Sequence, residues 1–238
     1  MKKTMKRIFS AVLALSMSLV MLTGCGSSSS DAKSPSDGET VELRLSHTNP
    51  ASSAFGLASE EFAKLVNEKT NGRYHITVYN DGQLGDERDS IEAVQLGNLD
   101  FAIVNVSVLA NFVPQLSVFD LPYVIQSTEH ADKVFKGDVG GQMMEWISGI
   151  GVKGLGVWES GFRNLTNSVR EVNSLEDVAG LRIRVMESEL HQKLWIALGA
   201  DAVPMAWGEA YTALQQGALD GEENPPVSYT HLRAHETT

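Results

Sequence analysis

The chain has one cysteine, Cys25, among its 238 residues. No disulfide can form within it, so the fold rests on no oxidised crosslink and the thiol needs another explanation. Basic residues are also scarce, 19 against 30 acidic ones. Four of the 19 (Lys2, Lys3, Lys6, Arg7) fall in the first 24 residues, which hold no acid, so the remainder carries 15 against 30. A chain this acidic lacks the clustered Lys and Arg that phosphate backbones demand, which excludes nucleic acid as a partner. Its overall field does not draw anions either, so an anionic ligand has to be caught by a local cation. There is no Gly-x-Ser-x-Gly turn to expose a nucleophile. Gly137 to Gly141 has neither the lysine nor the spacing of a phosphate loop. His47, His75, His130 and His191 are scattered without metal-ligand spacing. The sequence therefore calls for no catalysis, no metal and no cofactor.

What is present begins with a targeting signature. After the basic start comes a 15-residue apolar run, Ile8 to Leu22, interrupted by Ser10, Ser16 and Ser18. That is short for a spanning helix, which needs about 20 apolar residues. The run ends Leu22-Thr23-Gly24-Cys25, similar to a bacterial lipoprotein cleavage box, in which the cysteine becomes the lipidated first residue. An ordinary secretory signal or an uncleaved anchor are the alternatives. Residues 26–40 are rich in Ser, Gly, Asp and Pro and cannot bury a core, so they read as a flexible tether.

From Val41 onward strand and helix periods alternate. Val41 to Leu45 and Tyr74 to Tyr79 alternate as strands, and Phe101 to Val106 is an apolar run suited to a buried parallel strand. Phe55, Ala58, Phe62, Leu65 and Val66 recur at helical spacing up to Asn71-Gly72. Asp86 caps a helix through Leu96 with Ile91, Val94 and Gln95 or Leu96 inward. Val139, Met143, Trp146, Ile147 and Ile150 mark another helix, and Val152 to Glu159 a further strand. Ser174 with Asp177 caps a short turn before Leu181–Val185. Leu190, Leu194, Ala197 and Leu198, and then Ala210, Tyr211 and Leu214, make two helices closed by Gly199 and Gly217. Strands separated by helices imply an α/β fold with parallel sheets.

In Leu181-Arg182-Ile183-Arg184-Val185 the apolar residues share one face and the two arginines the other. Ligands of such sheets sit beyond the carboxyl ends of strands, so Arg184 is better placed than Arg182 to meet one. A guanidinium offers a planar fork that suits a carboxylate. Surface ion pairing is the plainer reading of both.

Five segments then carry a resemblance: GQLGDERDSIEAVQLGNLDFA from Gly82, GFRNLTN at 161, GLRIRV at 180, MAWGEAYTALQQG at 205 and DGEENP at 220. In this order and near this spacing they resemble the substrate-binding proteins of the tripartite ATP-independent periplasmic (TRAP) transporters, over roughly residues 41–225. The resemblance implies an α/β, two-lobed clamshell like other periplasmic binding proteins, with lobe I at 41–160 and a partial lobe II at 161–225. It implies capture of a small organic acid outside the cell and delivery to the membrane subunits of a permease. A lipid-anchored sensor that presents its acid to a signalling receptor is the alternative.

Position by position, the resemblance implies that Arg184 is the main carboxylate clamp, with Arg163, Trp207 and Asn224 beside it. Asn105 stands where sialic-acid-binding members carry a glutamate, which argues against a sialic acid. Thr48 and His47 line the cleft from the first strand-to-loop segment. For Trp207 core packing is the competing role, and for Asn105 a satisfied buried amide. Residues 226–238 show neither period nor likeness and read as a non-native tail, so His231 and His235, four apart beside Glu236, are given no role. The resemblance thus implies an incomplete second lobe, whose uncovered apolar faces favour aggregation and weak binding.

The lipoprotein reading is tested at its cysteine. Two lipid chains anchor a protein stably where one does so only marginally. Cys25→Ala is expected to move the protein from the membrane fraction into the medium. A variant that stays with the membrane through a carbonate wash would refute it.

Overall fold

Two sheets organise the computed structural model, which describes residues 40–226 and residue 228. The leader at 1–24, the tether with Cys25, and the tail residues 227 and 229–238 lie outside the described residues.

In the first half, β1 (Val41–Ser46) pairs in parallel with both β2 (Tyr74–Tyr79) and β3 (Phe101–Ala102), giving the order β2-β1-β3. Parallel neighbours need crossovers, and α1 (Ala54–Lys69) and α2 (Glu87–Gln95) supply them. The Ser53 hydroxyl caps α1 by accepting from the Gly56 amide at 3.0 Å. A Cβ at Gly56 would lie 2.5 Å from the Ala51 carbonyl oxygen, so that turn admits only glycine. Asp86 and Asp89 form the capping box that starts α2. Leu45, Ala63 and Ile76 close the core between sheet and helix.

A helical layer follows. It comprises α3 (Val106–Leu109), a 3-10 turn at Pro114–Asp120, α4 (Thr128–Phe135) and α5 (Asp138–Ser148). Met143 and Ile147 of α5 pack with Ile91, Val108, Val113 and Leu116. The second half has the order β4-β7-β5-β6, from β4 (Asn164–Asn167), β5 (Arg182–Val185), β6 (Asp201–Pro204) and β7 (Gly221–Asn224). β5 runs parallel to β6 and β7, while β4 is antiparallel to β7. The helices α6 (Glu189–Ala197) and α7 (Trp207–Gln215) flank it. Val178, Leu181, Ile183, Val185, Ala200 and Ala202 are its core.

Four expectations need correction. Val152 to Glu159 forms no strand: no described strand lies alongside to take its backbone hydrogen bonds. The run at Phe101 pairs only through Ala102, because Asn105 already takes the N-cap position of α3 and turns the chain. Leu96 is 75% exposed and is the C-cap of α2, so Ile91 carries the inner face. Pro226 and Ser228 have helical backbone, where no helical period was expected.

β7 shows why a glycine opens the last motif. Gly221 lies opposite Asn167, and a Cβ on it would fall 2.0 Å from the Thr166 carbonyl oxygen. Gly221→Ala must therefore push β4 off β7. Overpacking of this kind costs about 1–3 kcal/mol, or roughly 2–12 °C of melting temperature at this size. An unchanged thermal melt would contradict the close approach.

Candidate ligand-binding site

Arg184 stands third in β5, where the strand's alternation turns it away from the Ile183 and Val185 core. It is 3% exposed, although a lone cation in such a place is costly. Its Nε and Nη2 both donate to the Met205 carbonyl, at 2.9 and 2.6 Å, just beyond the end of the neighbouring β6. Its Cζ lies 5.5 Å from the Trp207 ring centroid, a cation–π distance. Among the described residues it makes no ion pair, and its Nη1 has no hydrogen bond. Burial holds its pKa below the usual value for arginine, against the opposing field of Glu222. Arg182, two residues earlier, is half exposed and pairs with Asp201 at 3.4 Å. The same strand face thus carries one solvated arginine and one buried one.

Arg163 precedes β4, which reaches β7 from the other side. Its Nε and Nη2 donate to the Glu223 carboxylate, and Nη2 also donates to the Glu223 carbonyl. Burial would raise the Glu223 carboxyl, but His191 and Arg163 outweigh it and hold the group below its ordinary range. Asn224 is buried and donates to the Glu222 carboxylate at 3.0 Å. Among the described residues Glu222 has no such cation in contact, and burial raises its pKa.

From the first half comes Glu87, in the first turn of α2. It accepts from the Asn105 side-chain amide at 2.6 Å. Burial raises its carboxyl to about 7, opposed by Asn105 and by the fields of Arg184 and Arg163. The expected residues Arg184, Trp207, Arg163, Asn224 and Asn105 therefore belong to one neighbourhood, linked through Glu87, Glu222 and Glu223. His47 and Thr48 are buried as well, but the charged neighbours of His47 are Asp81 and Glu60 rather than the arginines. The His47 Nδ1 accepts from the Asn49 amide at 3.2 Å, and its Nε2 is buried without a partner. Burial lowers its pKa and so favours the neutral ring.

Sequence reasoning missed the acids. Glu87 was hidden beside the cap residue Asp86 in a helix first turn, where acids are ordinary. Glu222 and Glu223 sit in a tetrapeptide, Gly-Glu-Glu-Asn, with no apolar residue to mark it as a central strand. Among the described residues no cluster of His, Cys, Asp and Glu could hold a metal.

The halves meet around this neighbourhood. The Gly208 amide at the start of α7 donates to Asp86 at 3.3 Å, and the Asn111 side chain donates to the Glu187 carbonyl at 2.6 Å. Two α/β sheets with a buried arginine, unpaired among the described residues and beside an aromatic ring where they meet, define a two-lobed ligand-binding protein. The chain belongs to the bacterial extracellular solute-binding proteins of family 7, matching that family over residues 45–238. The match continues past Pro225, where the sequence pattern was expected to stop.

It is 38% identical over 183 residues to a solute-binding protein of Verminephrobacter eiseniae, across 77% of this chain and 55% of that one. Two crystal structures resemble it. One is the sugar acid binding protein of Advenella mimigardefordensis with galactonate, with TM-score 0.80, 31% identity, and 83% of this chain against 64% of that one. The other is a TRAP periplasmic solute-binding protein of Polaromonas bound to D-erythronate, with TM-score 0.79, 37% identity, and 83% of this chain against 65% of that one. The chain thus spans between about half and two thirds of the length of these relatives. Relatives and neighbours alike are solute-binding proteins, not enzymes.

The raised carboxyl of Glu87 has a measurable consequence. Its folded pKa, about 7, exceeds the ordinary 4.5, so its contribution to stability is complete below pH 4.5 and is lost as pH rises through 7. Glu87→Gln is expected to remove that loss. Urea unfolding from pH 4.5 to 8 should show the wild type falling relative to the variant, and parallel curves would place Glu87 in solvent.

Proposed function

We propose that this chain is the ligand-capturing part of an extracytoplasmic, lipid-anchored solute-binding protein of a TRAP transporter, which takes up a small organic acid. The single observation that carries this reading is Arg184. It is a buried guanidinium with two nitrogens tied to a carbonyl, an aromatic ring at its side and, among the described residues, no carboxylate of its own. A ligand carboxylate supplies the missing charge. Arg163, already paired with Glu223, assists by its field. Lobe I comprises residues 41–160 and lobe II begins at 161. Closure of the lobes over the acid is a population shift, and the closed form is what a permease subunit recognises.

The class of acid follows from the far side of the site. Glu87 half-protonated near pH 7 and hydrogen-bonded to Asn105 offers a donor and an acceptor to a hydroxyl, but repels a second carboxylate. A hydroxylated monocarboxylate is favoured over a dicarboxylate. Two of the similar structures hold such acids, galactonate and D-erythronate, while another, from Sulfurospirillum deleyianum, holds succinate.

Calorimetric titration with galactonate, D-erythronate and succinate tests both points. Truncating one partner of a buried charge pair costs roughly 2–5 kcal/mol, so Arg184→Ala should weaken binding at least about tenfold. Arg184→Lys should also bind poorly, since an ammonium lacks the fork. Arg182→Ala, on the same face but solvated, should bind as the wild type does. Equal losses at 182 and 184 would reduce the arginine effect to stability, and preference for succinate would overturn the role given to Glu87.

A further inference from the structure

His191, in the first turn of α6, is a buried titratable group that touches Glu223 but neither arginine of the site. It is 8% exposed, and its two ring nitrogens face carboxylates from opposite halves of the molecule. Nδ1 lies 3.4 Å from Glu223 Oε1, on β7 of the second half. Nε2 lies 3.6 Å from Asp120 Oδ1, at the end of the 3-10 turn of the first half. Ser107 of α3 completes that side, with its hydroxyl 3.5 Å from Nε2 while donating to Asp120 Oδ1 at 2.7 Å. The second oxygen of Asp120 is buried without a partner.

The placement makes little sense for the helix alone. The amino-terminal turn of a helix disfavours a cation. A neutral imidazole carries one N–H, so it can satisfy only one of two facing carboxylates, whereas the imidazolium donates to both. Other charged groups nearby do not replace it. Arg163 donates to both carboxylate oxygens of Glu223, the one facing His191 included, and Arg184 on β5 shares the field of Glu223, but among the described residues neither arginine pairs with Asp120. Lys193 pairs with Glu189 on the exposed side of α6, as Arg182 does with Asp201 beside β5 and β6. Among the described residues the His191–Asp120 contact is the one ion pair between the halves. Besides Ser107, which meets the same ring, the other links across this seam are Asp86 with the Gly208 amide and Asn111 with the Glu187 carbonyl, each using a backbone group.

We infer that His191 is a positioning residue that latches the lobes: charged, it ties Asp120 of lobe I to Glu223 of lobe II and so fixes the carboxylate that holds Arg163. The inference rests on the two-lobed binding role proposed above. It makes the closed form the protonated one. Burial opposes the charge, but Asp120 and Glu223 outweigh it and raise the ring to about 9 from 6.5. The sign follows: a raised histidine pKa stabilises the latched form fully below pH 6.5, and that stabilisation is lost as pH rises through 9.

Hydrogen exchange of the full chain, without ligand, tests the latch. At pH 7, His191→Gln and Asp120→Asn are each expected to speed exchange about tenfold in residues 106–120 and 189–197, with residues 54–79 unaffected. The double variant should be no worse than either single one, since both break the same contact. In the wild type, protection of those segments, corrected for intrinsic exchange, should fall between pH 6.5 and 9 and stay level in His191→Gln. Unchanged protection in both variants, or wild-type protection level with pH, would overturn the proposal. The wild-type pH series decides it even if the variants fold poorly. Galactonate enters in a second arm, where His191→Gln should raise the Kd while retaining some binding. Failure of the wild type to bind any acid would instead sink the assignment of Arg184, and the ligand-free exchange series would still decide the latch.

Discussion

The second half of this protein is organised around a charge that burial makes expensive. Arg184 has left water, and what surrounds it exists in large part to make that tolerable. The Met205 carbonyl takes two of its donors, the Trp207 ring faces it, and Glu222 and Glu223 lie on the adjacent β7 without pairing with it directly. A direct internal partner would have neutralised the arginine more completely. Keeping the carboxylates at one remove stabilises the guanidinium through the field while leaving Nη1 without a hydrogen bond among the described residues. The cost is that Glu222 is itself raised by burial. The site is therefore held under electrostatic tension, which a carboxylate bound as proposed above would relieve.

That arrangement also explains the division of labour between the two arginines. Arg163 is neutralised internally by Glu223, through bonds to both its carboxylate and its backbone carbonyl. It is a fixed support whose charge is already spent on the protein. Arg184 is the cation with unspent valence. Two arginines in similar-looking motifs thus differ in kind, and the difference lies in the strand between them.

Much of this was legible in the sequence. The alternation of Leu181, Ile183 and Val185 with the arginines gave the strand and its two faces, and the position of Arg184 near the strand's end made it the ligand candidate. Asp86 and Ser174 marked the element starts they cap, whereas the Ser53 cap of α1 was read only as loop. What stayed hidden lacks an apolar signature. Gly221–Asn224 is a central strand made only of glycine, acids and an amide, so periodicity has nothing to register. β4, Asn164–Asn167, is nearly as polar. The strand read into Val152–Glu159 shows the converse: an alternating segment is a strand only when another backbone lies alongside. The buried acids were missed for a related reason, because sequence carries charge but not desolvation.

The contact between Arg163 and Glu223 joins residues 60 apart in the chain. Ordering so long a loop carries an entropic cost before any contact rewards it. Local helices and the β1–α1–β2 unit can form early, whereas the arginine cluster waits for the last strand of its sheet to dock between two strands already synthesised. Completion of the arginine cluster is then a late event in folding. A folding intermediate with every helix in place would still lack the Arg163–Glu223 contact, which reports complete threading rather than secondary structure.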